Sequence, residues 1–393
     1  MLDSIFVGMS GLLGYSRGLK TISNNTANMN TPGFKGSTLQ FTDLFYSSGN
    51  LYGSSGNGQL GFGLNTAGTT LNFKQGELRS TNNALDMAVD GQGLFTLKDV
   101  AGKLHYSRAG QFKFDINGTL VNKADSAKVM GLDSGGGLQE ISIAGLLTNL
   151  PKATNTVKFS GNLSSTATTQ AVSGVKVFDR NGGEHALSLQ FTNTGTAGVG
   201  TWSVNILDGT TTVGTGSVAF LDSKIIPSTA RITFTYAPAG VSAIPVTLDF
   251  SSDVTSLASG NVSNLAMASQ DGYGAGSMTQ TTFDESGTLL LSYSNGQTVK
   301  GPRLALSYFD TLDAVASVGG NMFDAINSAA WHRGAANQGA FGVVRAGVIE
   351  ISNVDLSQEF SDLVIMQRGY QSSSQVISTA NEMLQQLFAM KGK

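Results

Sequence analysis

Apolar residues recur at helical spacing at the two ends of the chain, and nearly everything between alternates with a period of two. Near the C-terminus, Leu356, Phe360, Leu363, Gln367, Tyr370, Ser374, Ile377, Asn381, Leu384 and Phe388 follow steps of four and three. This is a heptad pattern, the period that lets one helix lie along another. At about 1.5 Å per residue it predicts a helix roughly 50 Å long. Leu2, Ile5, Met9, Leu12, Ser16 and Leu19 repeat the spacing at the N-terminus. Such a stripe needs other helices to cover it. The expected cover is the opposite terminus together with neighbouring copies of the chain. Gln367, Ser374 and Asn381 sit within this seam, where polar residues fix register and partner number at a cost in stability.

Gly8, Gly11, Gly14 and Gly18 interrupt the first helix, each at roughly 1 kcal/mol relative to Ala. The segment should therefore become helical only when packed, where glycine permits close approach. Asn28, Asn30, Thr31, Pro32 and Gly33 stop it. Residues 31–70 are rich in Gly, Ser and Asn and read as an extended or loosely folded linker. From residue 71 the period becomes two, with strands expected at 94–97 and 106–114. Phe114, Asp115, Ile116, Asn117 and Gly118 form a tight-hairpin signal. Near copies start at Phe283 and, more loosely, at Phe178, and the first two should be paired hairpins of one domain. Residues 147–276 alternate cleanly, with Trp202, Val204 and Ile206, Ile232, Phe234 and Tyr236, and Val246, Leu248 and Phe250 on apolar faces opposite Thr-rich ones. The expected fold is multidomain and mainly β with α-helical termini. A terminal coiled-coil domain (1–30 plus 355–393) and the linker 31–70 enclose an inner β-domain (71–146 plus 277–354). Into that is inserted an outer sandwich- or barrel-like β-domain (147–276).

Composition narrows the function. Charged residues make up 13% of the chain and the net charge is −3, against roughly 25% charged in ordinary soluble domains. With no basic cluster, no nucleic-acid partner is expected. The chain has no Cys, which excludes disulfides, thiol nucleophiles and thiolate metal sites. No run of 18 apolar residues predicts membrane insertion. The first residues lack the charged region and cleavage site of a secretory signal, so export would use a route without a cleaved signal. Gly56, Gly58 and Gly61 match a dinucleotide-binding pattern, but no βαβ unit surrounds them, and a loop is expected. His105, His185 and His332 lack metal-site spacing, and His185 reads as part of an exposed turn. The segment 115–118 resembles a fragment of a calcium loop without its bidentate Glu. No catalytic, cofactor-binding or metal-binding residue is predicted.

Three motifs carry a resemblance. The stretch from Ser23 to Lys35, with Asn25, Ala27, Asn28, Thr31, Gly33 and Phe34, resembles the N-terminal signature of the bacterial flagellar rod and hook axial family. The stretch from Ala88 to Phe95, followed by Tyr106, Ser107, Arg108, Ala109, Gly110, Gln111 and Phe112, is similar to the shared core segment of that family. The stretch from Ser352 to Tyr370 is similar to its C-terminal signature. The large insert matches the hook branch of the family better than the shorter rod proteins. The resemblance implies a curved tubular homopolymer outside the cell, acting as a universal joint between rod and filament. It also implies unfolded export through the flagellar type III apparatus. Implied partners are other copies of the chain, the distal rod protein, the hook–filament junction protein, the hook cap and the export apparatus. The apolar seam residues named above (Leu2, Ile5, Met9, Leu12, Leu19, Leu356, Phe360, Leu363, Tyr370, Ile377, Leu384 and Phe388) would carry assembly. Competing readings are a distal rod or hook-like paralogue and a surface β-rich adhesin.

Overall fold

The computed structural model describes residues 2–48, 59–133, 135–195 and 199–391. The chain is mainly β with one long helix at each end, α1 (Leu2–Ala27) and α2 (Leu356–Lys391). It divides into two compact units. The first comprises Met1–Ala144, Thr281–Leu290 and Lys300–Lys393, and the second Gly145–Gln280 with Leu291–Val299. The stretch 291–299, which hydropathy assigns to the inner domain, thus belongs with the insert.

In the second unit, nine strands form one sheet. The order is Thr169–Phe178, Glu184–Asn193, Val199–Asp208, Thr211–Leu221, Lys224–Ile225, Ile244–Thr255, Thr156–Asn162 and Ala266–Gln270, with Arg231–Tyr236 also paired to Ile244–Thr255. The first strand of this order returns beside the last, so the sheet nearly closes into a barrel. One pairing, Thr156–Asn162 with Ile244–Thr255, is parallel rather than antiparallel. The period-two faces read from the sequence point inward: Trp202, Val204, Ile206, Ile232, Phe234, Tyr236, Val246, Leu248 and Phe250 share one core.

In the first unit, Leu94–Lys98 pairs with Leu104–Ser107, Lys128–Leu132 and Leu306–Phe309. The strand expected at 106–114 is broken. Leu104–Ser107 and Phe112–Phe114 are separate, because a Cβ on Gly110 would lie 1.7 Å from the Met87 carbonyl oxygen. The chain must bend there to pass under the Met87 strand.

All three Asp-initiated turns close alike. The Asp115 carboxylate accepts from the Asn117 and Thr119 N–H groups, Asp179 from Asn181 and Gly183, and Asp284 from Ser286 and Thr288. Gly118, Gly182 and Gly287 take the positive φ these turns require. The carboxylate oxygen that a cation would need is committed to the backbone. The hairpins at Asp115 and Asp284 share a unit but are not hydrogen-bonded to each other.

The described residues within 31–70 do not form a loose linker. Ser37–Asp43 pairs antiparallel with Leu64–Leu71, and Tyr46–Ser48 with Gln59–Gly61. Phe45 stacks on Phe62 at 4.7 Å. The hairpin lies on α1: Phe41 meets the Tyr15 ring at 5.9 Å, and the Leu64 N–H donates to Ser10 Oγ. Polar Gly- and Ser-rich composition hides a pairing that α1 supports. Gly56 and Gly58 lie outside the described residues.

A helix pair and a buried knot as the candidate assembly site

The helices α1 and α2 pack antiparallel, and glycines make the contact. Gly8 abuts Ile377, Gly11 abuts Ser373 and Gly18 abuts Met366, while Tyr15 lies against Gly369. A Cβ at any of these four glycines would come within 2.8 Å of its neighbour. Gly14 instead receives Leu64 and Phe41 of the hairpin. The glycines that weaken both helices in isolation are thus the points of closest approach.

This places the contact row of α1 one residue round from the expected seam. Gly8, Gly11, Gly14 and Gly18 are buried, whereas Ile5, Leu12 and Leu19 are half-buried and Met9 is exposed. Leu2 opens the helix. On α2, Leu356, Leu363, Ile377 and Leu384 are half-buried, while Phe360, Tyr370 and Phe388 are exposed, as are Gln367, Ser374 and Asn381. The α2 residues that face α1 are Met366, Gly369, Ser373 and Ile377, with Ala380 buried on the same helix, and not the polar residues of the expected seam. Hydropathy scores side chains, so it cannot see a row made of hydrogen atoms. Outward from the pair, Phe6 and Leu13 of α1 and Val364, Ile365, Leu387 and Phe388 of α2 stand exposed.

At the foot of the pair, the signature residues tie the termini together. Asn25 is buried, and its amide clasps the Ser37 backbone from both sides while donating to Glu359 Oε1 at 2.8 Å. Burial raises the Glu359 carboxyl above its ordinary value. Asp355 caps α2 by accepting from the Ser357 and Gln358 N–H groups. Ala27 is exposed and Phe34 half-buried in the turn that follows α1. Asn28 and Thr31 bond to each other across that turn, and Asn321 donates to the Pro32 carbonyl. Gly33 has φ of +72°, and a Cβ there would meet the Ala109 nitrogen at 2.4 Å. Gly33→Ala is therefore expected to destabilise the first unit by at least about 2 kcal/mol, left-handed strain plus a displaced backbone. Chemical denaturation of the monomer measures this, and a loss below about 0.5 kcal/mol, the scale of an ordinary surface change, would contradict it.

Beyond this turn lies a knot of charge that the sequence reading missed. Lys35 Nζ donates to Glu350 Oε1 at 2.5 Å and to the Lys74 carbonyl at 2.7 Å. Arg108 Nη1 reaches Glu350 Oε2 at 3.3 Å, and its guanidinium also donates to the Val89 and Gly91 carbonyls. The Gly76 N–H completes the carboxylate at 2.8 Å. The Lys35 and Glu350 side chains are wholly shielded from solvent. Desolvation draws both cations below their ordinary pKa values, against the pull of Glu350. The three residues come from three distant segments; Lys35 and Arg108 lie within two of the signature motifs, but nothing in those motifs pairs them with Glu350.

The histidines are each paired with an aspartate. His105 bridges Asp324 and Asp99, His185 bonds Asp179 and packs edge-on to Tyr236, and His332 bonds Asp310. His185 is accordingly anchored to its hairpin rather than set in a free turn. Among the described residues, no three His, Cys, Asp or Glu side chains are grouped to hold a metal ion, and no helix is long and apolar enough to cross a membrane.

Three family descriptions match the chain in order. Residues 5–35 match the flagella basal body rod protein, 88–162 the flagellar hook protein FlgE/F/G D1 domain, and 345–390 the flagellar basal body rod FlgEFG protein C-terminal region. Each matched segment supplies one member of the knot: Lys35, Arg108 and Glu350. The chain is 30% identical to the flagellar hook protein FlgE of Escherichia coli (strain K12) over 407 residues, covering 98% of each. It is 28% identical to FlgE of Borreliella burgdorferi over 443 residues, covering 100% of each. Among solved structures, the Helicobacter pylori flagellar hook protein FlgE2 has the same fold, with a TM-score of 0.53 and 14% identity over 68% of this chain and 99% of that one.

Proposed function

The chain belongs to the flagellar hook protein family and is a structural subunit of the bacterial flagellar hook, and we propose that the outward faces of α1 and α2 are what its polymer buries. The family implies a polymer of the chain with itself within the flagellum. The observation that carries the proposal is the pair of unpartnered apolar faces: Phe6 is 62% exposed, Ile365 61% and Phe388 73%. Exposed aromatic and aliphatic rows of this extent mark interaction surfaces. Repeated head-to-tail contacts that do not close on themselves generate a helical tube. Leu363, Ile377 and Leu384 would hold the two helices of one subunit together, and Phe360, Tyr370 and Phe388 would meet neighbours.

The remaining roles follow from chemistry. Helices weakened by glycine suit a chain exported unfolded, because each is stable only once α1 and α2 pack on each other. The Thr-rich outer faces of the second unit form contacts weak enough to exchange as a curved tube turns. The distal rod protein, the hook–filament junction protein, the hook cap and the type III export apparatus are the proposed partners.

Deleting the gene tests the assignment. Basal bodies with complete rods and no hooks are expected by electron microscopy. Loss of the distal rod would instead favour a rod role, and intact hooks would refute the assignment.

A further inference from the structure

We infer that Lys35, Arg108 and Glu350 select the register in which the C-terminal segment docks, and through it the rotational setting of α2 against α1. They are positioning residues for the helix pair.

The C-terminal segment enters the first unit through two short ladders. Val343–Ala346 pairs with Met87–Asp90, and Val348–Glu350 pairs with Leu78–Ser80. Gly347 separates them at a φ of +73°. Hydrophobicity scarcely discriminates registers here. Val348, Ile349 and Ile351 present β-branched side chains to both faces, so a slip by one residue exchanges one apolar side chain for another. The pair between Arg345 and Asp90 in the first ladder is solvent-exposed and discriminates little. The Asn353 side chain bonds to main-chain groups of Gly36, Asn72 and Lys74 and its N–H to the Phe34 carbonyl, all of them main-chain groups that recur along a strand.

Glu350 is different. It is the one acid within 343–354, and it meets two buried cations. A slip by one residue puts an isoleucine against Lys35 and Arg108 and leaves both charges unpaired, an outcome that buried ions penalise strongly. Buried polar groups that fix register at a cost in stability are known from helical bundles, and here the same logic acts on a strand. The helix α2 starts six residues after Glu350. One residue of slip would turn it by about 100° and shift it by about 1.5 Å. Ile377, Ser373 and Met366 would then leave Gly8, Gly11 and Gly18.

The test uses the dilute full-length monomer and needs no polymer, so its failure would leave the hook assignment untouched. The chain has no Cys, so cysteines introduced at the exposed Lys20 and Gln367 take spin labels uniquely. The native chain should give a single narrow label-to-label distance. The neutral variant K35M/R108M/E350L should melt cooperatively at or above the native midpoint, yet give a broad or two-peaked distribution. A second variant, E350I/I351E, moves the acid by one residue and should give a single peak displaced from the native one. A single native distance in the neutral variant overturns the inference. So does an unmoved peak in the second variant. Loss of cooperative melting in the neutral variant overturns it too, since the three charges would then hold the fold together rather than choose its register.

Discussion

Glu350→Gln is expected to lower the stability of the first unit by about 3–5 kcal/mol, the range found when one partner of a buried ion pair is removed. The substitution keeps the shape of the side chain and one accepting oxygen. It removes the only anion paired with Lys35 and Arg108 among the described residues, and it turns an amide N–H₂ toward a cation. Burial already holds both cations below their ordinary pKa values while Glu350 opposes the shift, so the variant moves Lys35 further down. The sign with pH follows. A lysine whose folded pKa lies below its unfolded value binds fewer protons in the folded state. Stability then rises with pH between the folded value and the ordinary lysine range. The deficit of the variant should therefore shrink as pH climbs through that window. The chain contains two tryptophans, Trp202 in the core of the second unit and Trp331 in the first. Single-tryptophan variants thus report each unit separately during urea unfolding. The Trp331 transition should move and the Trp202 transition should not. A Trp331 shift worth less than about 1 kcal/mol, the net value of an ordinary hydrogen bond, would sink this account of the knot.

What the sequence disclosed follows from which contacts have a local signature. The second unit was legible because each strand buries alternate residues, so Ile232, Phe234 and Tyr236 declare both the strand and its inner face. The hairpins were legible because Asp115 and Gly118 specify a turn within five residues. The helices were legible as elements but not in their facing. Gly8, Gly11 and Gly18 form the contact row, and a residue without a side chain leaves no mark in a hydrophobic pattern. The hairpin 37–71 was hidden because its strands are Thr-, Gly- and Ser-rich and rest on α1 through only a few residues, Phe41 and Leu64 among them. The knot was invisible for a different reason. Lys35 and Glu350 lie 315 positions apart, and a lone Lys and a lone Glu read as surface residues until the chain is folded. Asn25 lay within a recognisable motif, but its bond to Glu359 joins segments that no periodicity connects.

Ile365→Asp should leave the monomer intact and abolish polymerisation, and the contrast with Ile377→Asp shows why. Ile365 is 61% exposed on the outer face of α2, where a charge costs the isolated subunit no more than about 0.5 kcal/mol. In a tube that covers this face, the same change forfeits roughly 1.5–3 kcal/mol of apolar burial. It also strands a carboxylate away from water, at about 2 kcal/mol or more. Together these raise the critical concentration for assembly roughly a thousandfold, since each 1.4 kcal/mol is a factor of ten. Ile377 instead packs on Gly8 within the subunit, so Asp there should separate α1 from α2 and lower the melting of the monomer itself. Sedimentation of polymer against free subunit, with swimming as the cellular readout, distinguishes the two failures. Native-length tubes from Ile365→Asp subunits at the native critical concentration would mean that the outward face of α2 is not buried by neighbours. The polymer would then have to be built from surfaces other than its terminal helices.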